Sequence, residues 1–359
     1  MKILSIVGAR PQFIKCAPLS RTLRKNHHEI LVHTGQHYDQ NMSDVFFSEL
    51  NIPKPDYNLA IGSASHGEQT GQMLIEIEKV ILKEEPDMIL VYGDTNSTIA
   101  GALAASKLHI PVAHVEAGLR SFDRTMPEEI NRVLTDHVSN LLFCPTETAV
   151  KNLKAEGITT GVHNVGDVMM DAVLYNSKIA EEKSTILADL DLNAGQYLLA
   201  TVHRASNTDS RQNLTSIINA FVDCGEKIVF PVHPRTAKYM KQYGLWEKAS
   251  ANLVLTEPVG YLDMLKLTGN AKKVLTDSGG LQKEACMLGV PCITLRENTE
   301  WVETVEAGWN VLVGAEYGEI INEIKVFNNG LHKNKNEIFG KGDASEKISY
   351  IIDQNYYDQ

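Results

Sequence analysis

Met88-Ile89-Leu90-Val91-Tyr92-Gly93-Asp94-Thr95-Asn96 is an apolar run that ends abruptly in small and polar residues. A stretch rich in Ala and Gly follows, Ser97–Leu108, and then a second apolar run, Val112–Val115. Short runs of this kind read as buried strands, and the Ala/Gly stretch reads as a helix suited to close packing on a sheet. The unit is strand, helix, strand, so the two strands are parallel. The same rhythm extends outward. Lys2–Val7 and Glu29–His33 read as strands before it, with helices at Pro18–Lys25 and Glu68–Glu84, and Glu128–Ser139 reads as a helix after it. The second half repeats the pattern, with strands expected at Tyr197–Val202, Ile228–Val232, Leu253–Leu255, Lys273–Leu275 and Cys292–Leu295. Helices are expected between them at Arg211–Cys224, Tyr261–Thr268 and Leu281–Leu288.

The fold class is therefore α/β, with two doubly wound, Rossmann-like domains facing a cleft. Its 359 residues suit two domains of ~100–200 residues each. The expected boundaries are 1–168 and 169–343, with a C-terminal helix over 344–359. A net charge of −11 repels polyphosphate and argues against nucleic acid as partner. Five cysteines without a CxxC pair argue against a disulfide framework or a cysteine zinc site and fit a reducing cytoplasm. No apolar stretch approaches the ~20 residues of a membrane span. The short run Ile3–Val7 is no secretory signal. A cytoplasmic protein is expected.

In open parallel sheets, ligands bind outside the carboxyl ends of the strands. Polar residues that directly follow strands are therefore the candidates. Gly8-Ala9-Arg10-Pro11-Gln12-Phe13-Ile14-Lys15 turns from the first strand into a helix. Arg10 and Lys15 then flank a helix N-terminus, which favours anions, although a surface turn with solvated cations gives the same pattern. Asp94 could cap the next helix or act chemically. Glu116, in His114-Val115-Glu116-Ala117-Gly118-Leu119-Arg120, stands at a neighbouring strand end. Asp94 and Glu116 together would supply general acid–base chemistry if mutual repulsion raised one pKa, or each could simply pair with an Arg such as Arg120. Glu128 opens a helix in Met126-Pro127-Glu128-Glu129-Ile130-Asn131-Arg132, where first-turn electrostatics alone would explain it. Thr276-Asp277-Ser278-Gly279-Gly280-Leu281 is a strand, a small-residue turn and a helix start that could cradle a diphosphate, with Glu284 one turn in, within reach of ribose hydroxyls. His203 and His233 each follow a second-half strand. The spacing of these residues gives no metal site.

Taken in order, Gly8-x-Arg10-Pro11, Gly93-Asp94-Thr95, His114–Arg120, Pro127-Glu128-Glu129-x-Asn131-Arg132 and Asp277-Ser278-Gly279-Gly280-x-Gln282-x-Glu284 resemble the non-hydrolysing UDP-N-acetylglucosamine 2-epimerase family over essentially the whole length. The resemblance implies a glycosyltransferase-B-like fold, a homodimer, and inversion at C2 of a UDP-sugar without NAD, metal or other cofactor. UDP is eliminated to leave a 2-acetamidoglucal, then adds back after a proton reaches the other face of C2. It also implies the roles. Asp94, Glu116, Glu128 and His203 are the catalytic set. Arg10, Lys15, His233, Arg235, Ser278, Gly279, Gly280 and Glu284 bind UDP and substrate. The last helix, Ala344–Tyr356, returns to the first domain.

Several positions depart from the commoner pattern. Gln12 stands where many members carry Glu, His203-Arg204-Ala205-Ser206-Asn207 lacks the usual Arg-Glu, and Pro234-Arg235-Thr236 follows the second histidine. These look more like members acting on UDP-2,3-diacetamido-2,3-dideoxyglucuronate. Arg235 would suit that substrate's extra carboxylate; the alternative is that it binds diphosphate or solvent. UDP-N-acetylglucosamine is the alternative substrate. Gln36-His37 matches part of an activating second site found in some bacterial members, but the expected Arg is replaced near Gln72. A glycosyltransferase on the same fold would need Glu284 and the Ser-Gly-Gly turn but not three first-domain carboxylates. A sensor without turnover is disfavoured, since unpaired acids beside a diphosphate would only weaken binding.

Overall fold

The computed structural model describes residues 1–36, 54–327, 334 and 336–357. The chain divides into two compact units, Met1–Ala172 with Phe339–Gln359, and Val173–Ile338. Each is an α/β unit built on one all-parallel sheet.

The first unit contains β1 (Lys2–Val7), β2 (His28–His33), β3 (Tyr57–Asn58), β4 (Met88–Tyr92), β5 (Val112–Val115), β6 (Leu141–Cys144) and β7 (Val162–Asn164). Their order is β3-β2-β1-β4-β5-β6-β7, so the winding reverses between β1 and β4. The helix Asn96–Lys107 lies on this sheet, and its small residues let it come close. A side chain on Gly101 would begin 2.5 Å from Ile6 Cδ1. Arg10–Leu23 is one continuous helix that includes Pro18, longer than the sequence suggested. Burial of Phe13, Ile14, Cys16, Ala17, Leu19 and Leu23 along one side outweighs the lost proline N–H. The helix Ala344–Tyr357 packs on Arg10–Leu23. Its start is capped by the buried Asp171, which accepts from Ser345 N at 2.8 Å and Ala344 N at 3.2 Å.

The second unit contains β8 (Leu198–Thr201), β9 (Ile228–Pro231), β10 (Val254–Thr256), β11 (Lys273–Thr276), β12 (Cys292–Thr294) and β13 (Asn310–Leu312). The order is β10-β9-β8-β11-β12-β13, reversing between β8 and β11. Leu198 and Ala200 join one buried cluster, while Tyr197 and Leu199 join another. Alternate residues of one strand thus feed cores on both faces, as a doubly covered sheet requires. Among the described residues, no helix is long and apolar enough to cross a membrane.

Candidate active site

In the first unit the ends of β1 and β4 are joined through one side chain. The Oε1 of buried Gln12 accepts from Gly8 N at 2.8 Å and Ala9 N at 3.0 Å. Its Nε2 donates to Tyr92 O at 2.7 Å and Thr98 Oγ1 at 3.0 Å. A carboxylate could not make the second pair of bonds, so the amide at position 12 fits a bracing role at the winding reversal. The backbone of Arg10 opens the following helix.

Asp94 and Glu116 lie at the carboxyl ends of the adjacent strands β4 and β5. They do not face each other bare. Lys15 Nζ forms an ion pair with Glu116 Oε2, and Arg132 Nη2 with Asp94 Oδ2. Mutual repulsion is therefore not the governing interaction, and Arg120 is not the partner of either. It pairs with Asp136 and Glu156 instead. Nor does Asp94 cap the next helix, where Thr98 Oγ1 accepts from Thr95 N at 3.1 Å. Gly93 has φ +65°, and a side chain there would begin 3.2 Å from Lys15 Nζ and 3.4 Å from Glu116 Oε2. Glycine thus leaves the space that the Lys15–Glu116 pair fills. Glu116 itself holds φ +73°, a left-handed conformation that is strained for a non-glycine residue.

Glu128 is exposed in the first turn of the helix Pro127–Val138. Its motif neighbours are structural, a role the motif pattern could have suggested. Buried Glu129 accepts from Ser121 N at 2.9 Å, Phe122 N at 2.9 Å and Arg132 Nη1 at 2.8 Å. Burial pushes its carboxyl up, but these donors outweigh it and hold Glu129 below the usual range. Asn131 Nδ2 donates to Asp94 O at 3.0 Å. Glu129, Asn131 and Arg132 together fix Asp94 in place.

In the second unit the reversal between β8 and β11 carries the His203 and Ser-Gly-Gly motifs, and the His233 motif follows the next strand, β9. Asp277, fully buried, accepts from His203 N at 3.0 and 3.1 Å, Arg204 N at 3.0 Å and Asn207 Nδ2 at 3.1 Å. The motif quoted Asp277 without a role, and its role is to shape the His203 loop. The ring centroids of His203 and His233 lie 5.8 Å apart. Burial holds His203 below the usual imidazole range, outweighing the pull of Asp277, with His233 and Arg204 adding to the effect. His233 caps the helix Pro234–Tyr243, its Nδ1 accepting from Arg235 N at 3.2 Å. The Arg235 fork is engaged by Asp209, with Nη2 2.7 Å from Oδ1 and Nε 3.0 Å from Thr208 Oγ1.

The helix of the Ser-Gly-Gly turn begins at Gly279, two residues earlier than its apolar pattern suggested. Ser278 is its cap, with Oγ accepting from Leu281 N at 3.4 Å. Gly279 and Gly280 therefore present first-turn N–H groups, the donors suited to a phosphate. Glu284 is buried on this helix. Glu300 lies against the same turn, its Oε2 3.3 Å from where a Gly279 side chain would begin, and Arg296 Nη1 holds it at 2.9 Å. Burial pushes Glu300 up, yet its own backbone N–H, Arg296 and Arg204 outweigh this and hold it below the usual range.

Of the second-site residues, His37 lies outside the described residues. Gln36 Oε1 accepts from Ser97 Oγ at 2.7 Å, and Gln72 is exposed. Among the described residues, no three His, Cys, Asp or Glu side chains gather to hold a metal.

The sequence profile described as UDP-N-acetylglucosamine 2-epimerase matches residues 21–353. A Methanococcus maripaludis protein named UDP-N-acetylglucosamine 2-epimerase homolog is 61% identical over 98% of this chain and 99% of its own length. The Pseudomonas aeruginosa UDP-2,3-diacetamido-2,3-dideoxy-D-glucuronate 2-epimerase is 50% identical over 98% and 99%. The crystal structure of Methanocaldococcus jannaschii UDP-GlcNAc 2-epimerase in complex with UDP-GlcNAc and UDP superposes with a TM-score of 0.86 at 51% identity, covering 99% of this chain and 100% of that one. With identity this high along nearly the whole length, the chain belongs to the UDP-N-acetylglucosamine 2-epimerase family, whose named members are isomerases acting on UDP-sugars.

Proposed function

We propose that the protein inverts C2 of a UDP-2-acetamido sugar by eliminating and re-adding UDP, with UDP-2,3-diacetamido-2,3-dideoxyglucuronate as substrate and UDP-N-acetylglucosamine as the alternative. The observation that carries the reading is the placement of two carboxylates, Asp94 and Glu116, each fixed by its own cation at adjacent strand ends beside a winding reversal. One carboxylate takes the C2 proton as the C1–O bond to UDP breaks. A second group then delivers a proton to the opposite face of C2, and UDP closes the C1–O bond again. The second unit supplies the leaving-group site, with the first-turn N–H groups of Gly279 and Gly280, His203, His233 and Glu284 as its contacts. Arg10 and Glu128 complete the proposed set. Working as a homodimer in the cytoplasm belongs to the same proposal.

Lys15 and Arg132 pair the two carboxylates, so family membership, not unpaired acids, disfavours a sensor without turnover. The decisive experiment incubates either UDP-sugar with the protein in deuterated water and follows proton NMR. Deuterium should enter at C2 as the manno epimer forms. No exchange with either sugar would refute the epimerase reading.

The uronate preference rests on Arg235 and on the Pseudomonas relative. Asp209 already shows that a carboxylate fits the Arg235 fork. A substrate carboxylate would take its place. Arg235→Ala should therefore lower kcat/KM for the uronate about 10–100-fold more than for UDP-N-acetylglucosamine, the span of 1.5–3 kcal/mol for hydrogen bonds to charged groups. Equal losses on both sugars would remove the argument for the uronate.

A further inference from the structure

His114 takes no part in the chemistry above, yet it bonds to the helix and the strand end that carry the first-unit carboxylates. It lies on β5 two residues before Glu116 and is fully buried. Its Nδ1 is 2.7 Å from Asp136 Oδ1, and its Nε2 is 2.8 Å from the carbonyl oxygen of Gly93. Both neighbours are acceptors. Asp136 Oδ2 already receives Arg120 Nη1 at 2.7 Å and Gly118 N at 3.1 Å, and a backbone carbonyl has no proton to give. A ring with a single N–H would leave one nitrogen lone pair against an oxygen lone pair at a fully buried position.

We infer that His114 donates from both ring nitrogens and that its Nε2–H···O=C bond to Gly93 positions Asp94 for proton transfer at C2. Charge supports the first part. Arg120 balances only one of the two anions beside it, Asp136 and Glu156, and a doubly protonated His114 ring would balance the other. Connectivity supports the second. The N–H of Gly93 is held by Val115 O at 3.0 Å, and its carbonyl by His114, so the residue before Asp94 is fixed from both sides by β5. Asp136 lies on the helix Pro127–Val138, which also carries Glu128, Asn131 and Arg132. The pair therefore ties together the three segments that bear the first-unit carboxylates. His114 is a positioning residue, and its link to C2 chemistry rests on the epimerase reading.

The test uses two amides. In His114→Gln the side-chain nitrogen reaches the place of Nε2 and keeps the bond to Gly93 O. In His114→Asn it reaches only the place of Nδ1 and keeps the bond to Asp136. His114→Asn should lower kcat about 100-fold, the scale expected for a small misplacement of a reacting group, with KM and the Kd for UDP within about threefold. His114→Gln should recover to within about tenfold of the parent protein on the same scale. Equal kcat in both variants, or kcat and UDP affinity falling together, would overturn the positioning role. Should both variants fail to fold, nitrogen-15 NMR of the parent protein with labelled histidine decides the hydrogen-bond pattern. Two N–H signals from His114 are expected, and one would overturn the inference. A parent protein that incorporates no deuterium refutes the epimerase reading instead, and the NMR result stands apart from it.

Discussion

Asp94→Asn and Glu116→Gln should each lower kcat for C2 inversion by about 10²–10⁴-fold, the usual worth of a positioned acid or base. Both changes keep size and shape. An amide oxygen can still accept from Arg132 or Lys15, so neither ion-pair geometry need collapse. UDP affinity, proposed to come from the second unit, should change less than about tenfold, within the range of a lost surface contact. Inversion needs a base on one face of C2 and an acid on the other, so the two losses should differ in kind. The variant that has lost only the returning proton should still eliminate, releasing UDP and the glucal, and deuterium placement in the products then assigns the faces. If both variants turned over within about threefold of the parent, well short of the usual acid–base contribution, the carboxylates would be spectators. Glu128→Gln asks the same of the exposed first-turn residue. A comparable loss makes Glu128 a third acid–base group, and an intact rate leaves it to the helix dipole.

The fold was legible because a parallel sheet writes itself as unbroken apolar runs. Met88–Tyr92 and Lys273–Thr276 are buried throughout, and no polar residue interrupts either run except at its ends. Length does not decide legibility: β3, β6 and β13 were missed, yet Leu141–Cys144 of β6 is as long as Val112–Val115 of β5. The strand-end rule also singled out Asp94, Glu116, His203 and the Ser-Gly-Gly turn as candidates, because it depends on topology alone. What it could not find were the partners. Lys15 lies 101 positions from Glu116, and Arg132 lies 38 from Asp94. Sequence offered Arg120 as the nearby cation, and the fold uses it elsewhere. The roles of Asp277 and Gln12 were hidden for a related reason. Both side chains bond to backbone, whose position only the folded chain defines.

Asp136→Ala should destabilise the first unit by about 3–5 kcal/mol in urea unfolding, the cost of stripping one partner from a buried ion pair. The side chain is fully buried and serves His114, Arg120 and Gly118 N, so truncation removes this acceptor from a buried imidazole, a buried guanidinium and an amide. Asp136→Asn keeps the shape and one acceptor oxygen and should cost less. The same residue shapes acid stability. Burial pushes its carboxyl up, but His114 and Arg120 outweigh that and hold it below the usual range in the folded state. A carboxyl depressed on folding stabilises fully above its unfolded pKa of about 3.9, and that contribution is lost as pH falls towards the folded value. Glu129 works in the same sense. Asp171, raised by burial, works in the opposite one and offsets part of the loss. Stability of the parent protein should therefore fall as pH drops from about 5 to 3, and the fall should be shallower in Asp136→Asn, which has no proton to take up there. Identical slopes in the two proteins would mean that the buried network carries no acid sensitivity, and that the titrating groups lie elsewhere.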